Sequence, residues 1–171
     1  LREKDVLSNM PELCYIVHKE EIPMEIRHVS RQDSLAVSLT TTITDLPDVI
    51  GDTYGQIMDY MECRAIRPSG FPYVIYRNMD EKALDVEIGI PVAARPEGEQ
   101  EIHASFLPSG RILYALHTGP YRTLEVTYQQ VMSYVEQEGL KLKDWMYELY
   151  LNSPTVTPEE KLQTGICFPL A

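Results

Sequence analysis

The feature that most constrains this chain is an internal repeat. Displaced by 74 positions, residues 51–78 lie on residues 125–152 without a gap, and nine of the 28 aligned positions are identical. Tyr54, Tyr60, Tyr73 and Tyr76 meet Tyr128, Tyr134, Tyr147 and Tyr150. Residues 88–92 echo residues 166–170, four residues further out of step. A repeated unit buries its apolar face against its neighbour, so the expected outcome is a duplicated fold with a pseudo-two-fold axis.

The local patterns fill in each half. Residues 24–29 and 34–44 read as strands, the second rich in β-branched side chains. Asp45 and Pro47 open a helix whose stripe includes Ile50, Tyr54, Ile57, Met58 and Met61, read as core packing. A break at 68–70 precedes a strand pair at 73–77 and 84–92, on which Asp85 and Glu87 read as a solvated face. Polar residues 93–100 form the linker between the halves. The second half repeats the order, with strands at 101–107 and 111–117 and a helix started by Gly119-Pro120. That helix carries the stripe Leu124, Tyr128, Val131, Met132 and Val135, with Gly139 at its C-terminal cap. Strands at 145–151 and 163–170 complete it. The expectation is an α+β domain over 24–171, with halves at about 24–92 and 101–171. It is a duplicated β-α-β-β module, with two curved, mainly antiparallel sheets braced by two long helices and a groove on the axis. Residues 1–23 read as an extension or linker, with a short apolar run at 13–17 as a strand or packing arm.

One residue is not explained by the repeat. On the strand at 145–151, alternation puts Met146, Glu148 and Tyr150 on one face. The repeat sets Val74 where Glu148 stands. The aromatic frame is thus kept while the acid is not, so the frame alone does not require a carboxylate. A carboxylate among Met and Tyr is costly if buried alone. A cationic ligand, a neighbouring Arg or Lys, and plain exposure are the three ways to relieve that cost.

Composition narrows the functional classes. With 15 basic and 26 acidic residues the chain carries a net charge of −11, which repels phosphate backbones and argues against direct contact with nucleic acid. Cys14, Cys63 and Cys167 are odd in number and widely spaced, forming neither a disulfide framework nor a metal motif, so all three are expected reduced, as in cytoplasm. The four histidines do not pair at ligand spacing, and no metal or other cofactor is expected. No apolar run is long enough to span a bilayer, so no membrane partner is expected either. Neither a glycine-rich phosphate loop nor a G-x-S-x-G elbow is present.

Four elements together resemble the GyrI-like small-molecule-binding domain: Leu107-Pro108-Ser109-Gly110-Arg111, His117-Thr118-Gly119-Pro120-Tyr121, the run from Tyr147 to Pro154, and the double repeat. That family includes the effector-binding domains of multidrug-sensing bacterial regulators and stand-alone proteins of the gyrase-inhibitor type. The resemblance, over about Met24 to Ala171, implies an aromatic groove between the halves that takes lipophilic, positively charged small molecules. It implies that Glu148 meets the charge, with Tyr150 beside it by position. Tyr76, Tyr114, Tyr121 and Met146 follow more loosely, from their places in the repeat and strands. No helix-turn-helix is visible, so either a stand-alone member or a DNA-binding part preceding Leu1 is expected. Two alternatives stand beside the binding module. Some members resemble hydrolases of strained, cyclopropane-type natural products, in which Glu148 would activate water and a tyrosine hydroxyl would assist. The other alternative is an acidic inhibitor of a larger partner.

Overall fold

The connections fix the shape of the sheet before any side chain is considered. The computed structural model describes residues 22–94 and 97–171; the apolar run at 13–17 and Cys14 lie outside them. The strands are β1 (Met24–Val29), β2 (Gln32–Thr41), β3 (Tyr73–Tyr76), β4 (Leu84–Pro91), β5 (His103–Leu107), β6 (Gly110–Thr118), β7 (Met146–Tyr150) and β8 (Gln163–Pro169). The long helices are α1 (Leu46–Cys63) and α2 (Leu124–Glu138). All pairings are antiparallel, in one eight-stranded sheet of order β1-β6-β8-β7-β3-β4-β2-β5. β5 and β6 are joined by a two-residue turn, yet they stand last and second in that order. β1 and β2 are joined as tightly, and stand first and seventh. Both connections are short only if the sheet curls until its ends approach.

Two expectations are corrected here. The structure has one continuous sheet where two were expected, because β3 pairs with β7 and closes the seam between the halves. Each half is β-β-α-β-β rather than β-α-β-β, because an additional first strand is exchanged: β1 pairs with β6 of the other half, and β5 with β2. Local pattern cannot announce such an exchange, since it reports that a strand exists and not which neighbour it takes.

The curl gives the sheet two buried faces. Both helices pack on one, where Val74, Tyr76, Val86, Leu113, Met146 and Ile166 meet Leu46 of α1 and Val131 of α2. On the face away from the helices, Tyr73, Ile75, Tyr114, Tyr147 and Cys167 pack with Leu107 and Ile112 from the strands at the sheet ends. The expected solvated face of β4 is corrected accordingly: Asp85 is half-buried and Glu87 is buried. Arg77 pairs with Glu87 at 2.7 Å, and the hydroxyls of Ser105 (2.7 Å) and Tyr73 (3.1 Å) donate to it. A charge in that position is tolerable only because each oxygen is answered.

The helix ends follow their chemistry. Asp45 occupies the N-cap position of α1 without capping it through its side chain; it instead accepts a hydrogen bond from the Thr42 hydroxyl at 2.8 Å. Gly119-Pro120 leads into a 3-10 turn at Tyr121–Thr123 before α2 begins at Leu124, and Gly139 closes α2 in the left-handed conformation (φ 62°). Cys63 and Cys167 are free thiols. No helix among the described residues is long and apolar enough to cross a membrane.

Close approach makes one glycine testable. A Cβ on Gly89 would stand 2.4 Å from the Tyr73 ring carbon and hydroxyl, both locked in the sheet interior. Gly89→Ala is expected to lower stability by about 1–3 kcal/mol, the usual cost of overpacking. Gly55 lies on the exposed side of α1 with nothing within 4 Å of its Cβ position. Gly55→Ala is expected to raise stability by about 0.5–1 kcal/mol. Thermal melts of both variants check the pair; a neutral Gly89→Ala would mean that Tyr73 is free to move aside.

Candidate functional site

β7 lies at the middle of the sheet, between β3 and β8. Its alternation turns Met146, Glu148 and Tyr150 toward the helices and Tyr147 and Leu149 away. In register across β3, Val74 stands opposite Glu148 and Tyr76 opposite Met146. Val74 brings no hydrogen-bonding group, so the partners of the acid come from elsewhere. Glu148 is only 3% exposed, and its oxygens meet three tyrosines. The hydroxyls of Tyr76 (3.0 Å) and Tyr150 (2.8 Å) donate to Oε2, and that of Tyr128 on α2 donates to Oε1 at 2.5 Å. Among the described residues no Lys, Arg or His forms an ion pair with it. Two of the three ways of relieving its burial, exposure and an internal cation, are therefore not the ones used by the described residues.

The carboxylate looks into a cavity of about 880 Å³ between the N-terminal halves of α1 and α2 and the sheet beneath them. Its wall is mainly apolar and aromatic, with Leu46, Ile50 and Tyr54 from α1 and Leu124 and Tyr128 from α2. Tyr121 and Tyr150 meet edge to face with centroids 5.8 Å apart, and Tyr54 and Tyr150 do so at 6.3 Å. Ile43, Phe71 and Met79 line the same cavity while 50%, 51% and 64% exposed, which leaves an apolar rim open to water. A volume and lining of this kind suit a drug-sized small molecule. Among the described residues no group of three His, Cys, Asp or Glu could hold a metal.

The turn that aims Tyr121 is held by His117. This buried imidazole has Nδ1 2.7 Å from the Thr127 hydroxyl of α2 and Nε2 3.2 Å from the Pro120 carbonyl. With Nε2–H donating to the carbonyl, Nδ1 accepts from the threonine. One side chain thereby ties the start of α2, which carries Tyr128, to the turn that carries Tyr121. Gly119 between them has φ 134°, a conformation other residues rarely adopt.

Five of the six residues singled out in the sequence line this cavity: Glu148, Tyr150, Met146, Tyr76 and Tyr121. Tyr114 does not, and that expectation is corrected. Its neighbours Leu113 and Ala115 face the helices, so strand parity sends Tyr114 to the opposite face, under the Arg27 guanidinium at 3.5 Å. Tyr54 and Tyr128 were the omissions. Their rings do pack against the core, as the helical stripe implies, but their side chains reach the cavity wall. Their identity in the repeat was the available signal: two phenols kept at one position of an otherwise aliphatic stripe.

Burial pushes the hydroxyls of Tyr54, Tyr76, Tyr128 and Tyr150 well above the usual tyrosine range, and the charge of Glu148 adds to the rise. Tyr121, nearer the surface, is raised by the same two causes in the same order. These phenols therefore remain hydrogen-bond donors well into alkali. In the unfolded chain they would ionise near the ordinary tyrosine value of about 10. The folded state then holds more protons than the unfolded state above that pH, and stability falls as pH rises. The melting temperature is expected to show no tyrosine-linked loss below about pH 10 and to drop above it. The drop should be shallower in Tyr128→Phe, and melts between pH 8 and 11.5 measure both slopes.

Comparison with known proteins agrees with this fold. No curated protein matches the sequence. EcmrR in a complex with DNA has a similar fold, with a TM-score of 0.78 at 20% identity; the match covers 88% of this chain and 57% of that one. The chain thus spans little more than half of the EcmrR chain. The separate EcmrR C-terminal domain matches with a TM-score of 0.74 at 19% identity, over 88% of this chain and 98% of that one. SAV2435 bound to tetraphenylphosphonium matches at 0.63 and 12% identity, over 87% and 94%. A hydrolase from Listeria innocua matches at 0.62 and 15%, over 86% and 91%. At such identities these likenesses show the fold. The family is shown by the sequence itself: residues 23–171 match the family model, and the chain belongs to the GyrI-like small-molecule-binding domain family.

Proposed function

We propose that the cavity binds lipophilic, cationic aromatic molecules with Glu148 as their counter-charge, and that the domain serves as a drug-sensing or drug-sequestering module. The observation that carries this is a carboxylate 3% exposed, without an ion-pair partner among the described residues, at the wall of an aromatic cavity. Hydroxyl donors make its burial tolerable but leave its charge uncompensated. A cation in the cavity removes that deficit, and ring faces add about 0.5–2 kcal/mol each, depending on desolvation. The tetraphenylphosphonium on SAV2435 is a lipophilic cation on a similar fold, and EcmrR shows such a fold in a protein that engages DNA. Both lend support by analogy only. The hydrolase alternative asks Glu148 to hold and deprotonate a water, and the three tyrosine hydroxyls on its oxygens leave about one lone-pair site for that water.

We also propose that the two halves are a duplicated module with the site on their pseudo-two-fold axis. The strand order is unchanged when β1, β2, β3 and β4 are exchanged with β5, β6, β7 and β8 and the order is reversed. Val74 and Glu148, repeat counterparts, are also register partners, as an axis between β3 and β7 would require.

Glu148→Gln keeps the shape and removes the charge. Affinity for a cationic dye is expected to fall by about 2–5 kcal/mol, the range for breaking a buried charge pair. A neutral dye of the same shape should bind nearly as before. Fluorescence titration of both dyes decides: equal losses would end the counter-charge reading. The melting temperature should fall modestly, because the amide nitrogen can no longer accept from a tyrosine hydroxyl, while the described residues supply no cation for the substitution to strand.

A further inference from the structure

We infer that this site prefers permanently charged cations without N–H groups, quaternary ammonium or phosphonium centres on an aromatic body, over protonated amines of the same size. The inference rests on the counter-charge reading of Glu148 above. Its ground is the hydrogen-bond accounting of one side chain. An ionised carboxylate offers about four lone-pair sites. Oε2 already accepts from Tyr76 at 3.0 Å and Tyr150 at 2.8 Å, and Oε1 accepts from Tyr128 at 2.5 Å. About one site is left.

A primary ammonium sheds a tightly held hydration shell on entry and brings three donors with it. In this wall they find one carboxylate lone pair and the phenolic oxygens. A second contact to the carboxylate must take the place of a tyrosine hydroxyl on Glu148, which would leave a buried phenol without its acceptor, and the remaining donors fall to phenolic oxygens, weaker acceptors than a carboxylate. The other polar residues of the wall do not make up the difference. Asn152 is committed, its amide to the Lys161 carbonyl and its oxygen to the Gln163 N–H. Glu81, Glu125 and Ser153 are exposed to water.

A quaternary centre asks for none of this. It carries no donor and is weakly hydrated, and its attraction to a carboxylate and to ring faces needs no lone pair in line. The edge-to-face packing of Tyr54 and Tyr121 on Tyr150 fixes the rings in place before the ligand arrives, so little ordering is left to oppose binding. The tyrosine cage thus serves as a filter. It holds the charge of Glu148 in the cavity while using up the hydrogen-bonding capacity that an amine requires.

The test is a series on one aromatic body: naphthylmethyl-trimethylammonium, the dimethylammonium and primary ammonium analogues, and a neutral isostere with carbon at the charged centre. Affinities are measured by calorimetry near pH 7, where the two amines are protonated and all three charged ligands are cations. In the wild-type protein the quaternary ligand should bind about tenfold more tightly than the primary one, with the dimethyl compound between them. Tyr76→Phe and Tyr128→Phe each return a lone pair to Glu148, and in each the ratio should shrink toward one; melting curves confirm that both variants are folded. A primary ligand that binds wild type as tightly as the quaternary one overturns the preference, and so does a ratio unchanged in both variants. If both cations still exceed the neutral isostere, the counter-charge reading survives that failure. A neutral isostere that equals the quaternary ligand overturns the counter-charge reading, and the filter with it.

Discussion

Four residue pairs between β3 and β7 hold this molecule together in a sense that no other contact does. They are the seam at which the two halves become one sheet. Without them the helices would lie on separate sheets, and the cavity between α1 and α2 would have no common floor. The pairing is short, but β3 is buried throughout and β7 is buried from Met146 to Glu148 and half-buried beyond, so the residues contribute packing as well as backbone hydrogen bonds. Strand exchange at the outer edges then closes the arrangement. β1 and β5 each pair with the opposite half, so the halves are tied at both outer edges as well as at the seam.

The seam also decides where the charge goes. Its central pair sets a valine beside Glu148, and a valine neither shields nor answers a carboxylate. The donors are recruited from three directions instead: Tyr76 on the paired strand, Tyr150 two residues along β7, and Tyr128 on the helix above. Each hydroxyl is itself buried or half-buried, so the hydrogen bonds are formed in a poorly screened environment where they are strong and costly to lose. The same poor screening carries the field of the carboxylate into the cavity. Stability of the free site and the attraction for a cation proposed above would come from one arrangement.

Much of this was legible in the chain, for reasons that can be named. Strand alternation has a period of two, so placing Met146, Glu148 and Tyr150 on one face needed only the strand itself. The repeat identified Tyr76 as the partner of Tyr150, and the sheet brings both to the same carboxylate. The failures are equally specific. Tyr114 was read from its place in a strand without its parity, and one residue of parity exchanges the two faces. Glu87 was read as solvated because alternation of acids with aliphatics ordinarily means a wet face. A sheet curled until its ends approach has no such face there, and the Arg77 partner lies ten residues away in the chain. Tyr54 and Tyr128 were read as core because helical periodicity locates a ring against the sheet and says nothing of where the phenol tip ends. The exchange of β1 and β5 left no local trace at all.

The departure from the repeat at one position is what makes the frame usable. A glutamate at both 74 and 148 would put two carboxylates on directly opposed residues of neighbouring strands, with Cβ atoms about 4.5–5.5 Å apart. Like charges at that distance in a dry site cannot both stay ionised, so one would take up a proton, and the pair would carry no more charge than the single Glu148 does while burying a second carboxyl group. A valine at both would leave a purely apolar cavity, able to hold a lipophilic body but indifferent to its charge. With one of each, the tyrosines contributed by both halves converge on a single acid: Tyr76 comes from the first half, and Tyr128 and Tyr150 from the second. The repeat counterpart of Tyr128 shows the other side of this. Tyr54 sits at the matching place on α1, finds Val74 where its own acid would be, and donates to the Tyr73 backbone carbonyl at 2.8 Å instead. Two tyrosines aligned by the sequence repeat thus have different partners, Tyr128 on the Glu148 carboxylate and Tyr54 on a backbone carbonyl, and the residues aligned in the repeat beneath them are Glu148 and Val74.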